Sequence, residues 1–181
     1  MPPKSACFKQ AGLQDEDHLT AVVQHAKLAA TGKAFALWCF GGDKVVTWGS
    51  PQGGGDKSPI QQELKGVQQI QGTWHAFAAI LEGGSVVTWG QPDYGGNSSK
   101  VQDQLKNIRQ IQATSNAFAA ITTDGSVVTW GDPHWGGDSS AVQSRLRKVR
   151  DVQATDRAFA AILSDGSVVT WGHPYDPWIF S

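Results

Sequence analysis

The sequence predicts a mainly β chain with short helices, built from tandem 41-residue repeats that pack like the blades of a partial or open β-propeller of about four units. Three observations predict it. Trp-Gly pairs stand at Trp48-Gly49, Trp89-Gly90, Trp130-Gly131 and Trp171-Gly172, each 41 residues from the last. The stretch from Trp89 to Thr129 aligns without gaps on Trp130 to Thr170, with 25 of 41 positions identical. Short β-branched and apolar runs flank the turn residues in each unit, at Thr123-Asp124-Gly125 for example. A fixed period in this range marks a solenoid, a propeller or an array, so it ranks ahead of any single motif. A β/α solenoid is the alternative arrangement of the same beat.

The elements of one unit follow in order. Ile108-Arg-Gln-Ile-Gln-Ala-Thr114 reads as a first strand that pairs in front of a second, Ala117-Phe-Ala-Ala-Ile-Thr122. Asp124-Gly125 then forms a tight hairpin, because glycine accepts the positive φ such a turn needs. Ser126-Val-Val-Thr-Trp130 is the third strand. The alanines around Phe118 offer little bulk, which suits a strand approached closely by neighbouring sheets, as near the axis of a propeller. Alanine also favours helix, but the turn and the β-branched run beyond it select the strand. Asp132-Pro-His-Trp-Gly-Gly-Asp138 is a loop by composition. Ser140-Ala-Val-Gln-Ser-Arg-Leu146 reads as a short helix, with Ser140 and Gln143 as a capping box repeated by Ser99 with Gln102 and Ser58 with Gln61. Val142, Leu146 and Val149 share its inner face.

A worn copy of the unit precedes Trp48, since Leu28-Ala-Ala-Thr-Gly-Lys-Ala-Phe-Ala36 follows the pattern of Val152 to Ala160, with one extra residue at the Gly41–Lys44 turn. The expected organisation is therefore an N-terminal helical cap or degenerate repeat over 1–30, the tandem β domain over 31–172, and a tail or truncated repeat over 173–181. Asp15-Glu-Asp17 ahead of Leu19, Val22, Val23 and Ala26 suits the start of an amphipathic helix. Stacked repeats expose apolar faces at both ends unless capped, so the repeat edges are candidates for self-association.

Composition narrows the function. Fifteen Lys and Arg against sixteen Asp and Glu, net −1, leave no excess of positive charge for a phosphate backbone, so no nucleic-acid partner is expected. The longest apolar run, Ala34 to Phe40, is too short to span a membrane. The residues after Met1 lack an apolar signal region, and Cys7 and Cys39 form neither a disulfide framework nor a zinc set. A cytoplasmic or nuclear, non-secreted setting is the expectation. The five histidines, His18, His25, His75, His134 and His173, share no metal-ligand spacing, and no nucleophile elbow, phosphate loop or paired carboxylates occur. No catalytic residue, metal or cofactor is expected.

The pattern Val149-x-x-Val152-x-Ala154, then Ala160-Ala-Ile162-x-x-Asp165-Gly166-x-Val168-x-x-Trp171-Gly172, resembles the regulator of chromosome condensation repeat, and the likeness covers most of residues 28–172. The resemblance implies a β-propeller, usually of seven blades. It also implies settings such as small-GTPase regulation, chromatin association or substrate recognition in a ubiquitin-ligase-like protein. Two departures stand out. Tyr94-Gly95-Gly96 and Trp135-Gly136-Gly137 replace the family's usual Gly-Gln-Leu-Gly, and Ala76, Ala117 and Ala158 stand where a histidine usually precedes the middle strand.

Binding residues are sought where the frame holds and the side chains vary. Gln52-Gly53, Asp93-Tyr94 and His134-Trp135 differ at one loop position, and Trp74-His75, Ser115-Asn116 and Asp156-Arg157 at another. Loops set on one face of a repeat scaffold are where recognition resides. Trp74, His75, Tyr94, His134 and Trp135 are the candidate partner-binding residues. A non-enzymatic scaffold for a protein partner is the first reading, and carbohydrate or small-ligand binding on Tyr94, Trp135 and Trp74 is the second. The four periodic tryptophans themselves are read as packing between units.

Overall fold

A computed structural model describes residues 26–39 and 44–173. Of the expected N-terminal helical cap or degenerate repeat over 1–30, residues 1–25 lie outside the described residues, while Ala26–Ala30 is a strand and not helix; the turn over 40–43 and the tail from Pro174 also lie outside them. Twelve strands form four separate three-stranded sheets, each an antiparallel meander in chain order. The first holds β1 (Ala26–Ala30), β2 (Ala34–Cys39) and β3 (Val45–Gly49), and the second β4 (Gln69–Gly72), β5 (Ala76–Ile80) and β6 (Val86–Gly90). The third holds β7 (Ile108–Ala113), β8 (Ala117–Thr122) and β9 (Val127–Gly131), and the fourth β10 (Val149–Ala154), β11 (Ala158–Leu163) and β12 (Val168–Gly172). These are four propeller-like blades, as the 41-residue beat predicts, and the alanine-rich run is the middle strand.

A single repeat unit cannot bury its apolar face alone, so the blades are held by what lies between them. Ala117, Ala119, Ile121 and Val127 of the third blade meet Phe159 and Trp171 of the fourth. The same set of positions builds the junction between the second and third blades and that between the first and second. Alanine at these positions leaves room for the stacked Phe-Trp pair and the first strand of the next blade. The small side chains thus serve the blade-to-blade approach, while the first strands line the axis. Phe118 and Trp130 are paired across β8 and β9 and stack at 5.2 Å; Phe77 with Trp89 and Phe159 with Trp171 repeat the arrangement. Each buried indole is also tied backwards. Nε1 of Trp89, Trp130 and Trp171 donates to the carbonyl of Gly54, Gly95 and Gly136, at 3.0, 3.0 and 3.1 Å. The periodic tryptophans are therefore rivets between one unit's loop and the next unit's core.

That loop needs glycine at one point. Gly95 ends a 3₁₀ turn at φ 87°, and a Cβ there would stand 2.6 Å from the Phe118 ring. Only a residue with no side chain lets the loop cross onto the next blade.

The first strands converge on an axis and are stitched by polar side chains at repeat spacing. Gln69 Nε2 donates to the Ile111 carbonyl at 2.9 Å, and Gln110 Nε2 to Asp151 Oδ1 at 2.8 Å. Arg109 Nη2 reaches the carbonyls of Val149 and Arg150 at 3.0 and 2.7 Å. At the end of these strands a backbone chain runs from blade to blade: Gly32 N–H donates to Trp74, Trp74 to Ser115 and Ser115 to Asp156, at 2.9, 2.8 and 2.9 Å.

One expectation needs correction. The segment expected as a short helix with a capping box holds only 3₁₀ turns, Ser58–Ile60 and Gln102–Gln104, and hydrogen-bonded turns at 140–145. Seven residues are too few to offset helix nucleation, and Asx turns compete for the same backbone donors. Asp56, Asn97 and Asp138 accept from Ser58, Ser99 and Ser140 N–H. The glutamines reach elsewhere, Gln102 and Gln143 donating to the Val86 and Val127 carbonyls. Leu146 and Val149 are nonetheless buried and Val142 packs against them, so the apolar face was assigned correctly.

Candidate interaction rim

In the first three units the third strand runs out through Trp-Gly into a 3₁₀ turn, ended by Gly53, Tyr94 and Trp135 respectively. Tyr94 and Trp135 occupy this position in the second and third units. A threonine from the same unit holds each one in place. Thr114 Oγ1 accepts from Ala117 N–H at 3.0 Å and donates to the Trp135 carbonyl at 2.9 Å. Thr73 does the same between Ala76 N–H, 3.1 Å, and the Tyr94 carbonyl, 2.9 Å. Thr31 repeats it with Ala34 and Gly53 at 2.9 and 3.0 Å. Thr73 and Thr114 are buried, so the carriers of the variable aromatic residues are rigid.

The second variable position lies alongside. The His75 ring meets Tyr94 edge-on, with centroids 4.6 Å apart. His75 Nδ1 is buried with no hydrogen-bond partner. Burial pushes its pKa below the ordinary 6.5, and the positive Lys33 side chain adds to the fall. One unit on, the guanidinium of Arg157 lies 5.2 Å over the Trp135 ring, and His173 stands 6.3 Å from it. The two variable positions, separate in sequence, therefore meet twice, His75 with Tyr94 inside the second unit and Arg157 of the fourth unit with Trp135 of the third.

Trp74 is 61% exposed, at the mouth of the axis beside Gly32, Thr73, Ser115 and Asp156. Its backbone is fixed in the interblade chain, so a rigid peptide presents a free indole face. His134 is exposed as well. Its backbone N–H donates to Asp132 Oδ1 at 2.9 Å, so its position belongs to the turn. The structure thus joins His75 to Tyr94, places Trp135 at the equivalent point one unit on, and adds Arg157, a varying loop position outside the five candidates, and His173. The threonines were missed, although Thr31, Thr73, Thr114 and Thr155 recur at the repeat spacing, apart from the one extra residue of the first turn. Among the described residues no three His, Cys, Asp or Glu side chains gather as for a metal ion.

No family model matches the chain, and no curated protein matches it. Solved structures do. Yeast RCC1 (Prp20) bound to Kap60 superposes with a TM-score of 0.58 at 18% identity, over 81% of this chain and 43% of that one. Prp20p of Saccharomyces cerevisiae, in a structure reported with its binding properties to Gsp1p and histones, gives 0.58 at 19% identity, over 81% and 44%. Human WBSCR16 gives 0.56 at 16%, over 88% and 49%. The fold is that of an RCC1-type β-propeller. This chain spans less than half the length of each of those structures.

Proposed function

We propose that this chain is a non-enzymatic scaffold that binds a protein partner through the rim of His75, Tyr94, Trp135 and Arg157. The observation that carries the reading is the contrast between frame and rim. The Phe-Trp stacks, threonine clamps and loop glycines repeat from unit to unit, while the side chains they hold do not. A rigid frame presenting aromatic and arginine side chains supplies what protein interfaces use as anchors, at little entropic cost on binding. RCC1 (Prp20) was solved with a protein partner, Kap60, which supports protein binding as the use of such a frame. GTPase regulation and substrate recognition in a ubiquitin-ligase-like protein are finer versions of the same reading. The test is affinity purification from the source cells with the wild-type chain beside a Tyr94→Ala/Trp135→Ala variant whose circular dichroism is unchanged. Proteins captured by the first and lost from the second support the rim; equal capture removes it.

The exposed indole of Trp74 favours a second reading, stacking on a sugar ring or another flat ligand. A glycan panel titrated against tryptophan fluorescence, with Trp74→Ala as control, decides it: quenching lost in the variant supports the reading, and a flat response rejects it.

A further inference from the structure

We propose that the two open faces of the four-blade stack are the two halves of one interface, and that they seat a second copy of this chain head to tail. The two faces share no residue with the rim. Each of the three internal junctions uses the same parts. The trailing face of one blade offers middle-strand alanines, the first valine of the third strand and the apolar residue paired with that valine, which is Trp38, Ile80 or Ile121. The leading face of the next offers a stacked Phe-Trp pair and the apolar residue of its first strand.

Both halves recur on the outer faces with nothing against them among the described residues. On the trailing side of the fourth blade Val168 is 52% exposed, whereas Val127, its equivalent one blade earlier, is 2% exposed. Ile162 is exposed where Ile121 is buried. On the leading side of the first blade Trp48 is 45% exposed, against 4% for Trp130, and Phe35, Val46 and Leu28 are exposed around it. Phe35 and Trp48 already stack at 5.4 Å, so the leading face is formed in advance.

The backbone is complementary in the same sense. The interblade chain passes from each N–H to the carbonyl of the following unit, and starts at Gly32 and ends at Asp156. Placed head to tail, the Asp156 N–H of one copy meets the Gly32 carbonyl of the next. The hairpin turns agree. A Cβ on Gly125 would stand 2.9 Å from Lys148 Cα of the following unit, while one on Gly166 meets nothing within 4 Å. A second copy is the occupant because its leading face is the partner that the trailing face has at every internal junction. The contact continues an interface this chain makes three times. A head-to-tail contact of this kind is heterologous, so it uses both faces of each copy.

The test is the mass of this 181-residue chain in solution by light scattering and sedimentation, up to about 100 µM, where even a weak interface is populated. Val46→Asp charges the leading face and Val168→Asp the trailing face; both sites are exposed in the single chain, so circular dichroism should remain that of the wild type. We expect concentration-dependent association of the wild type, weakened about tenfold or more in either variant by the desolvation of a carboxylate. Mixing the two variants should restore association, since the intact leading face of one meets the intact trailing face of the other. A wild type that stays monomeric throughout overturns the proposal and leaves the faces to residues outside 26–173. Association that survives Val168→Asp overturns head-to-tail pairing in favour of a contact between like faces.

Discussion

Trp130 does two things that can be separated. Its ring stacks on Phe118, and its Nε1 donates across the unit boundary to Gly95 at 3.0 Å. Trp130→Phe removes the bond and part of the area, and is expected to destabilise by about 2 kcal/mol. Trp48→Phe, on the exposed leading face, is expected to cost less than about 0.5 kcal/mol in the monomer. Urea titrations of the two variants side by side check the contrast. Gly125 and Gly166 form a second pair. Both turn at positive φ, 84° and 86°, so alanine strains both alike by about 1 kcal/mol. Only Gly125→Ala also presses on Lys148, and it should be the more damaging of the two, read as the difference in urea midpoint. Acid sensitivity belongs at this scale too. The Ser140 backbone N–H and hydroxyl hold the Asp138 carboxylate below the ordinary 3.8, and the amides of Gln110 and Gln153 do the same for Asp151. A depressed folded-state value means stabilisation that is complete above 3.8 and lost as pH falls through the lowered value. Stability should be flat above about pH 5 in this respect and fall below about pH 4, with Asp138→Asn flattening the acid limb.

At the scale of the element, the loop after each third strand is the part that most needs tertiary support. It has no ladder of its own and is held by a threonine hydroxyl below and a Phe-Trp pair on the neighbouring blade. Thr114→Val keeps the shape of the residue and removes both bonds of the hydroxyl, leaving the Ala117 N–H and the Trp135 carbonyl without it. It is expected to cost about 1–2 kcal/mol and to loosen Trp135, which acrylamide quenching of tryptophan fluorescence would register. The strands and hairpins of a unit were legible in sequence because apolar alternation and Gly-ended turns are local signals. The helix expected at Ser140–Leu146 was misjudged for a related reason. Its apolar spacing is that of a helix, but Leu146 and Val149 are buried against Ala117, Ala119 and Ile121 of the preceding blade, and that contact holds in a 3₁₀ or turn conformation as well.

At the scale of the whole molecule, stability is a sum over blades and junctions, since no core is shared by all four. In a row of this kind the inner units have two neighbours and the outer ones a single one, so opening starts at the ends. Hydrogen exchange should find the amides of β5 and β8 protected longest and those of β3 and β12 exchanging first; uniform protection across the four blades would contradict a linear stack. The rim becomes visible only at this scale. That Tyr94 and Trp135 vary within a fixed frame was readable from the repeat, but the meeting of His75 with Tyr94, or of Arg157 with Trp135, joins positions about 20 residues apart through a curvature no local pattern encodes.

The sequence by itself determined the period, the three strands of each unit, the tight turns and the choice of alanine, tryptophan and glycine at fixed points. Each of these is set by short-range sterics and by apolar spacing within one unit. Tertiary structure alone decided what those residues do: that the alanines admit a neighbouring blade, that the tryptophans bind the loop of the unit before, that the glutamines stitch an axis, and that the same two faces close three junctions and stand open at the ends. The reason is physical, because a blade this small gains most of its stability from its neighbours, and the contacts between neighbours follow from how the units stack.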